Sequence, residues 1–289
     1  MKKYPQDAWQ TVDPFSFFFD SLFQNTEPQQ KFSPSSKVAT LGSCFAVNIS
    51  KSLNECGINS SAFPIAEMFN NPWVNDLLLN AQLVKNTDGQ FYFPAVDPFT
   101  SMISQYDELM LKTNRPSYAN TIGSFLESAA NSNIIIYTLG TSFVSIVKKE
   151  GFRVPFVEGN PLLYEHQLLS VEEITNCLSN IYTRLKNLNP SACVVFTLSP
   201  IPCEGVIGSS LSSIEFNSIS KSLGRVGLYE FLKSNNSPNC YYFPSYEIIT
   251  SLAPAVSNSP FTWTDPRHPP EELIDLVMRI FHERYFTFS

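Results

Sequence analysis

Ser43, Asp265 and His268 are the side chains whose types could combine into one reaction. A serine hydroxyl attacks an acyl carbonyl once a nearby imidazole takes its proton. A carboxylate can then orient the ring and stabilise its positive form. Ser43 follows the apolar stretch Val38-Ala39-Thr40-Leu41 and the turn residue Gly42, and it precedes an amphipathic run from about Cys44 to Cys56. That order predicts a strand, a tight turn and a helix, with the serine at the carboxyl end of the strand beside free helix N–H groups. A second role is open, because one serine before one helix is commonly its N-cap. The partners stand at the other end of the chain, in Asp265-Pro266-Arg267-His268, where one short loop carries both carboxylate and imidazole. Alone, that tetrapeptide also suits a turn aspartate and a surface histidine. The chain has three histidines, His166, His268 and His282, so a histidine-dependent mechanism has few candidates and a histidine-rich metal site is excluded. Cys44 is a second candidate nucleophile, its alternative being a small apolar residue under the helix.

The elements that must position these groups alternate along the chain. After the strand at about Lys37–Leu41, Phe45, Ile49 and Leu53 recur at spacings of four and can pack one helix face on a sheet. Gly57 is placed to stop that helix. A second strand is expected over Ile58–Phe63, a helix over 73–84, a turn at Asn86–Gly89 and a helix over Ser117–Ala130. Ile134–Leu139 has no polar alternation and reads as a central parallel strand covered on both faces. A hairpin is expected over 143–157. Ser170-Val171-Glu172-Glu173 is a capping-box signal for a helix to about Leu188. A strand at Ala192–Leu198, a helix from about Ser212 to Lys233, a strand at Tyr241–Phe243 and a helix from Glu271 to Phe281 complete the series. This is one doubly wound α/β domain over 35–289, with 1–34 peripheral and 64–115 an elaboration long enough to cover a substrate cleft. The strand ends bring Gly42-Ser43, Gly140-Thr141-Ser142, Ser199-Pro200 and the Asp265 loop to one edge.

A content of 43% hydrophobic and 16% charged residues suits a folded chain of this length. With net charge −7 and no Lys/Arg cluster, nucleic acid is not an expected partner. No run is long enough to insert in a bilayer. Met1-Lys2-Lys3 is followed by Pro5, Asp7 and Asp13 rather than by an apolar segment, so a cytoplasmic location is expected. The six cysteines form no CxxC pair and read as reduced thiols. No feature specifies an oligomeric state.

Gly42-Ser43-Cys44-Phe45-Ala46 resembles the signature of the GSCFA-domain family, a relative of the SGNH (GDSL-like) esterases and acylhydrolases. The resemblance continues through Asn71-Pro72, Thr138-Leu139-Gly140-Thr141, Phe196-Thr197-Leu198-Ser199-Pro200, Asn217 with Ser220-Lys221, Tyr242 to Glu247, and Asp265 to His268. It covers roughly residues 35–282. It implies a flavodoxin-like three-layer α/β/α fold with a five-stranded, mainly parallel sheet and a Ser43-His268-Asp265 triad. The related hydrolases stabilise an oxyanion with the nucleophile's N–H and with donors from a later glycine and asparagine. Here the glycine position falls on Gly140, while Ser142 replaces the asparagine. Asn71 could compensate, or cap the helix that begins at Pro72; Gly140 could donate its N–H, or serve a tight turn. The family's frequent Cys-His-Lys segment is replaced by Val157 to Pro161. Ser199 and Lys221 match family positions and read as shaping the site, Lys221 otherwise being an ordinary exposed helix lysine. The implied activity is hydrolysis of a small acyl ester, an acylated carbohydrate among the candidates, with no metal or organic cofactor. O-acyl transfer by the same triad and a noncatalytic carbohydrate-binding or structural protein are the alternatives.

Overall fold

The structure, a computed structural model, describes residues 28, 30–64, 70–96, 100–105, 107, 117–154, 161–203, 205–235, 237–252 and 269–287. In chain order the main elements are β1 (Val38–Gly42), α1 (Phe45–Glu55), β2 (Ser60–Pro64), α2 (Pro72–Asn80), β3 (Val84–Lys85), β4 (Phe91–Tyr92), α3 (Tyr118–Ala130) and β5 (Ile134–Leu139). There follow β6 (Phe143–Val147), β7 (Arg153–Val154), β8 (Tyr164–Leu168), α4 (Val171–Leu188), β9 (Cys193–Leu198), α5 (Ser213–Ser234), β10 (Cys240–Phe243) and α6 (Glu271–Tyr285). Between β10 and α6, a single α turn at Ser245–Glu247 passes into a π-helical turn at Ile248–Leu252.

The apolar runs of β1, β5 and β9 lie in a five-stranded parallel sheet of order β2-β1-β5-β9-β10, the flavodoxin-like order. Every residue of β5 and β9 is buried, because helices cover both faces. Side-chain alternation splits the core in two. Val38, Ile134, Ile136, Val195 and Phe243 meet Phe45, Ile49 and Leu53 of α1 and the apolar stripe of α6. Leu41, Tyr137, Leu139, Phe196 and Leu198 meet α2, α3, α4 and α5 on the other face. Each fully buried Phe, Leu or Ile contributes about 1.5–3 kcal/mol, so the three stripe residues of α1 suffice to seat a helix that lacks a side-chain cap.

Ser170 and Ser212 form complete capping boxes with Glu173 and Glu215, which fixes the starts of α4 and α5. Three details depart from the sequence expectation. The helix expected over 73–84 stops at Asn80, since Ala81 turns extended to feed the antiparallel pair β3–β4. The expected hairpin over 143–157 gains a further strand, β8, which pairs β6 along its whole length and makes a three-stranded antiparallel sheet. The helix expected to end at Phe281 runs on to Tyr285, where the Tyr285 carbonyl accepts the Phe32 N–H at 2.7 Å. Asp107 accepts hydrogen bonds from Ser117 Oγ and the N–H groups of Tyr118 and Ala119 at the start of α3. All six cysteines are free thiols. Among the described residues no helix is long and apolar enough to cross a membrane.

Candidate active site

The chain leaves β1 toward the α1 face and leaves β5 toward the opposite layer, so the connections part between these two neighbours. In open parallel sheets, ligands bind in the crevice at such a point, outside the strand carboxyl ends. Ser43 stands there. Gly42 has φ +119°, and a Cβ on it would lie 2.1 Å from the Thr138 carbonyl oxygen. Only glycine lets β1 exit this close to β5. The Ser43 N–H donates to that same carbonyl at 3.0 Å, and Ser43 Oγ lies 2.9 Å from Thr138 Oγ1. Ser43 is 2% exposed.

These contacts exclude one of the two roles open to the serine, that of N-cap. The N-cap of α1 is Cys44, no side chain caps the helix, and the Ser43 hydroxyl is held by Thr138 instead. If Thr138 donates, the Ser43 proton is left for a base. Thr138 was missed as the partner of the Ser43 hydroxyl; the visible signal was an aliphatic hydroxyl near the end of the strand Ile134-Ile135-Ile136-Tyr137-Thr138-Leu139.

The remaining candidates gather around the same edge, with their polar groups engaged except for the buried Ser142 hydroxyl. Asn71 is buried as the N-cap of α2, its Oδ1 accepting the Val74 N–H at 2.9 Å. The N–H groups of Gly140 and Thr141 both donate to Asn70 O, at 3.0 and 2.9 Å. Gly140 therefore serves a close approach, a Cβ there falling 2.6 Å from Asn70 Cβ, and its donor is turned toward the α2 loop. Ser142 donates its N–H to Ser220 Oγ at 2.8 Å, and its buried hydroxyl sits against α5, 2.7 Å from where a Cβ on Gly224 would stand. Ser199 Oγ accepts the Ile201 N–H at 3.2 Å, which shapes the turn after β9.

For Lys221 the structure overturns the alternative of an ordinary exposed lysine. It is 1% exposed, and its Nζ donates to Gly140 O at 2.6 Å and Ser199 O at 2.8 Å. The face of α5 that carries it also carries Ser220, Gly224 and Gly227, so the helix lies too close to the strand ends for the side chain to reach water. Burial pushes its ammonium down to about 7 from an ordinary value near 10.5, although the thiols of Cys203 and Cys44 nearby act to raise it.

Asp265 and His268 lie outside the described residues, as do Val157 to Asn160 and most of the peripheral segment 1–34. The other two histidines have structural surroundings. His166 accepts the Ile207 N–H on Nδ1 at 3.2 Å and stacks at 4.6 Å from Phe143; burial lowers it to about 4. His282 Nδ1 lies 3.2 Å from Cys56 Sγ, at the far end of α1 from Ser43. A helix of that length spans about 16 Å, so His282 cannot meet the Ser43 hydroxyl.

Solved structures resemble the chain at low identity. A carbohydrate esterase family 2 enzyme plus carbohydrate binding domain from Corynascus thermopiles (Myceliophthora fergusii) is 10% identical, with a TM-score of 0.44 over 88% of this chain and 66% of that chain. A GDP-L-fucose synthetase from Naegleria fowleri bound to NADP is 10% identical, with a TM-score of 0.29 over 76% of this chain and 53% of that chain. This chain thus spans under two thirds of each of those proteins. No curated protein matches it. Residues 37–281 match the GSCFA family, a span that holds Ser43, the strand ends around it and the segment from Asp265 to His268, and the chain belongs to that family.

Proposed function

We propose that this chain hydrolyses acyl esters through Ser43, with His268 as the general base and acid and Asp265 as the group that orients the ring. The observation that carries the reading is the turn at Ser43: a serine hydroxyl at the carboxyl end of a central parallel strand, beside an uncapped helix N-terminus, after a glycine only glycine can replace. A capping serine would have spent its hydroxyl on the helix. The reading of His268 as the imidazole for proton transfer is supported by the weakened basicity of buried His166, whose Nδ1 accepts the Ile207 N–H, and by the distance of His282.

In this chemistry Ser43 Oγ bonds to the acyl carbon while His268 takes the hydroxyl proton. The tetrahedral intermediate then expels the alcohol, which receives that proton from His268. Water, activated in the same way, releases the acid and restores Ser43. A second alcohol in place of water gives acyl transfer from the same acyl-enzyme. The substrate of this reading is a small acyl ester, an acylated carbohydrate among the candidates. The amino terminus of α1 begins beside Ser43, and the helix dipole favours negative charge there.

The test is labelling by a small fluorophosphonate, read by intact mass, because Ser43 is nearly covered. One adduct is expected on the wild-type protein, none on S43A, and labelling slowed about a thousandfold on H268A. C44A should label at the wild-type rate. An S43A protein that still takes up the probe like wild type sinks the assignment.

A further inference from the structure

Lys221 is a buried lysine that the triad does not use. Among the described residues no carboxylate lies within ion-pair range of it, and both of its hydrogen bonds go to carbonyls at the strand exits, Gly140 O after β5 and Ser199 O after β9. Among the described residues, the titratable groups that face it are the thiols of Cys44, at the start of α1, and Cys203, on the loop after β9. The connection from β5 to β6 presents only Gly140, Thr141 and Ser142. On α5 itself Arg225 is turned away, paired with Glu247 at 2.5 Å.

The helix is built to bring Lys221 to this place. Ser220 Oγ accepts the Ser142 N–H, and Gly224 permits a backbone approach that a Cβ would block, 2.7 Å from Ser142 Oγ. The segment so held, Thr138 to Ser142, touches Ser43 at one end and the Asn70 carbonyl, next to the α2 cap, at the other. A cation there also offsets the carbonyl dipoles that converge on the carboxyl ends of the strands, close to where a tetrahedral intermediate would carry its negative charge.

We propose that Lys221 is a positioning residue for acyl transfer at Ser43, fixing the exits of β5 and β9, and that turnover requires its ammonium form. The proposal rests on the reading of Ser43 as nucleophile. The neutral amine keeps two N–H groups for the two carbonyls, so pH removes the charge and leaves the bonding pattern. Burial places that change near neutral pH, low enough for an enzyme to feel it.

The experiment measures kcat and KM for p-nitrophenyl acetate from pH 5.5 to 9 on wild type, K221M and K221R, with NMR of lysine carbon-13 at Cε on wild type. The wild-type kcat should fall about 50-fold between pH 7 and 9, in step with a Lys221 signal titrating near 7. At pH 6.5 K221M should lose about 100-fold in kcat with KM changed far less, as expected for a misplaced reacting group. K221R, which keeps its charge, should lose the alkaline fall. The proposal is overturned if K221M retains wild-type kcat, if K221R shows the same alkaline fall, or if the Lys221 signal titrates only above pH 9. If K221R does not fold, the wild-type profile and the NMR titration decide. Failure of Ser43 to take up fluorophosphonate in the folded wild type overturns the hydrolase reading itself. A labelled wild type with an unaffected K221M overturns only the role of Lys221.

Discussion

Replacing Lys221 by methionine should change the way stability depends on pH. The folded-state value is near 7 and the unfolded value near 10.5, so the gap is about 3.5. At about 1.36 kcal/mol per unit, burying the ammonium costs about 5 kcal/mol relative to burying the amine. The sign follows from proton counts. Below pH 7 both states hold the proton and the full cost is present. Between pH 7 and 10.5 the unfolded chain keeps a proton that the native protein has released, so stability attributable to this site rises with pH. K221M has no such group. The difference in unfolding free energy, wild type minus K221M, should therefore grow in favour of wild type by about 2 kcal/mol from pH 6 to 8.5. Methionine also leaves the Gly140 and Ser199 carbonyls without their donor, at about 1–3 kcal/mol each, but that loss does not vary with pH. The slope, not the offset, carries the information. Urea unfolding of both proteins at pH 6, 7 and 8.5, under reducing conditions, measures it. A difference constant to within about 0.5 kcal/mol across that range would refute the argument that Lys221 is desolvated without an ionic partner.

Two further substitutions probe the geometry around Ser43. G42A forces a Cβ to within 2.1 Å of the Thr138 carbonyl at φ +119°, so it should cost about 3 kcal/mol or more, and a thermal melt within a degree of wild type would contradict the close approach of β1 and β5. N71A should cost about 1 kcal/mol through the lost cap on Val74, while N71D should keep the cap. If N71D, stable as wild type, loses as much kcat toward p-nitrophenyl acetate as N71A, the Asn71 amide contributes more than capping.

The sheet was legible because its signals are local. Ile134-Ile135-Ile136-Tyr137-Thr138-Leu139 and Cys193-Val194-Val195-Phe196-Thr197-Leu198 cannot present a wet face, and two serine-to-glutamate capping boxes mark where α4 and α5 begin. β8 was harder to see. Tyr164-Glu165-His166-Gln167-Leu168 is mostly polar and only partly buried, and its strand character comes from pairing with β6 rather than from its own pattern. The burial of Lys221 was hard to see for a related reason. Lysine is exposed by default, and only the small residues on its face of α5, Ser220, Gly224 and Gly227, mark a helix that approaches the strand ends closely enough to enclose it.

A regularity at the strand exits explains why Ser43 sits where it does. β1 ends Thr40-Leu41-Gly42, β5 leads into Thr138-Leu139-Gly140, and β9 into Thr197-Leu198-Ser199. The three leucines enter one core layer, so the three threonines point to the other, and each hydroxyl meets the chain as it leaves a strand. Thr40 donates to Ala46 O at 2.9 Å, Thr138 meets Ser43 Oγ at 2.9 Å, and Thr197 donates to Phe243 O at 2.7 Å. Thr138 and Thr197 lie level in the sheet, but Thr138 is level with Gly42, two residues beyond Thr40. β1 thus turns away while β5 and β9 continue, leaving a step at the crevice. Ser43 occupies that step, its hydroxyl held by the threonine of the longer neighbour. A hydroxyl at the same sequence place after β9, Ser199, has no step to occupy and is used up in its own turn. The register offset between β1 and β5, more than the presence of a serine after a strand, separates a positioned hydroxyl from a structural one.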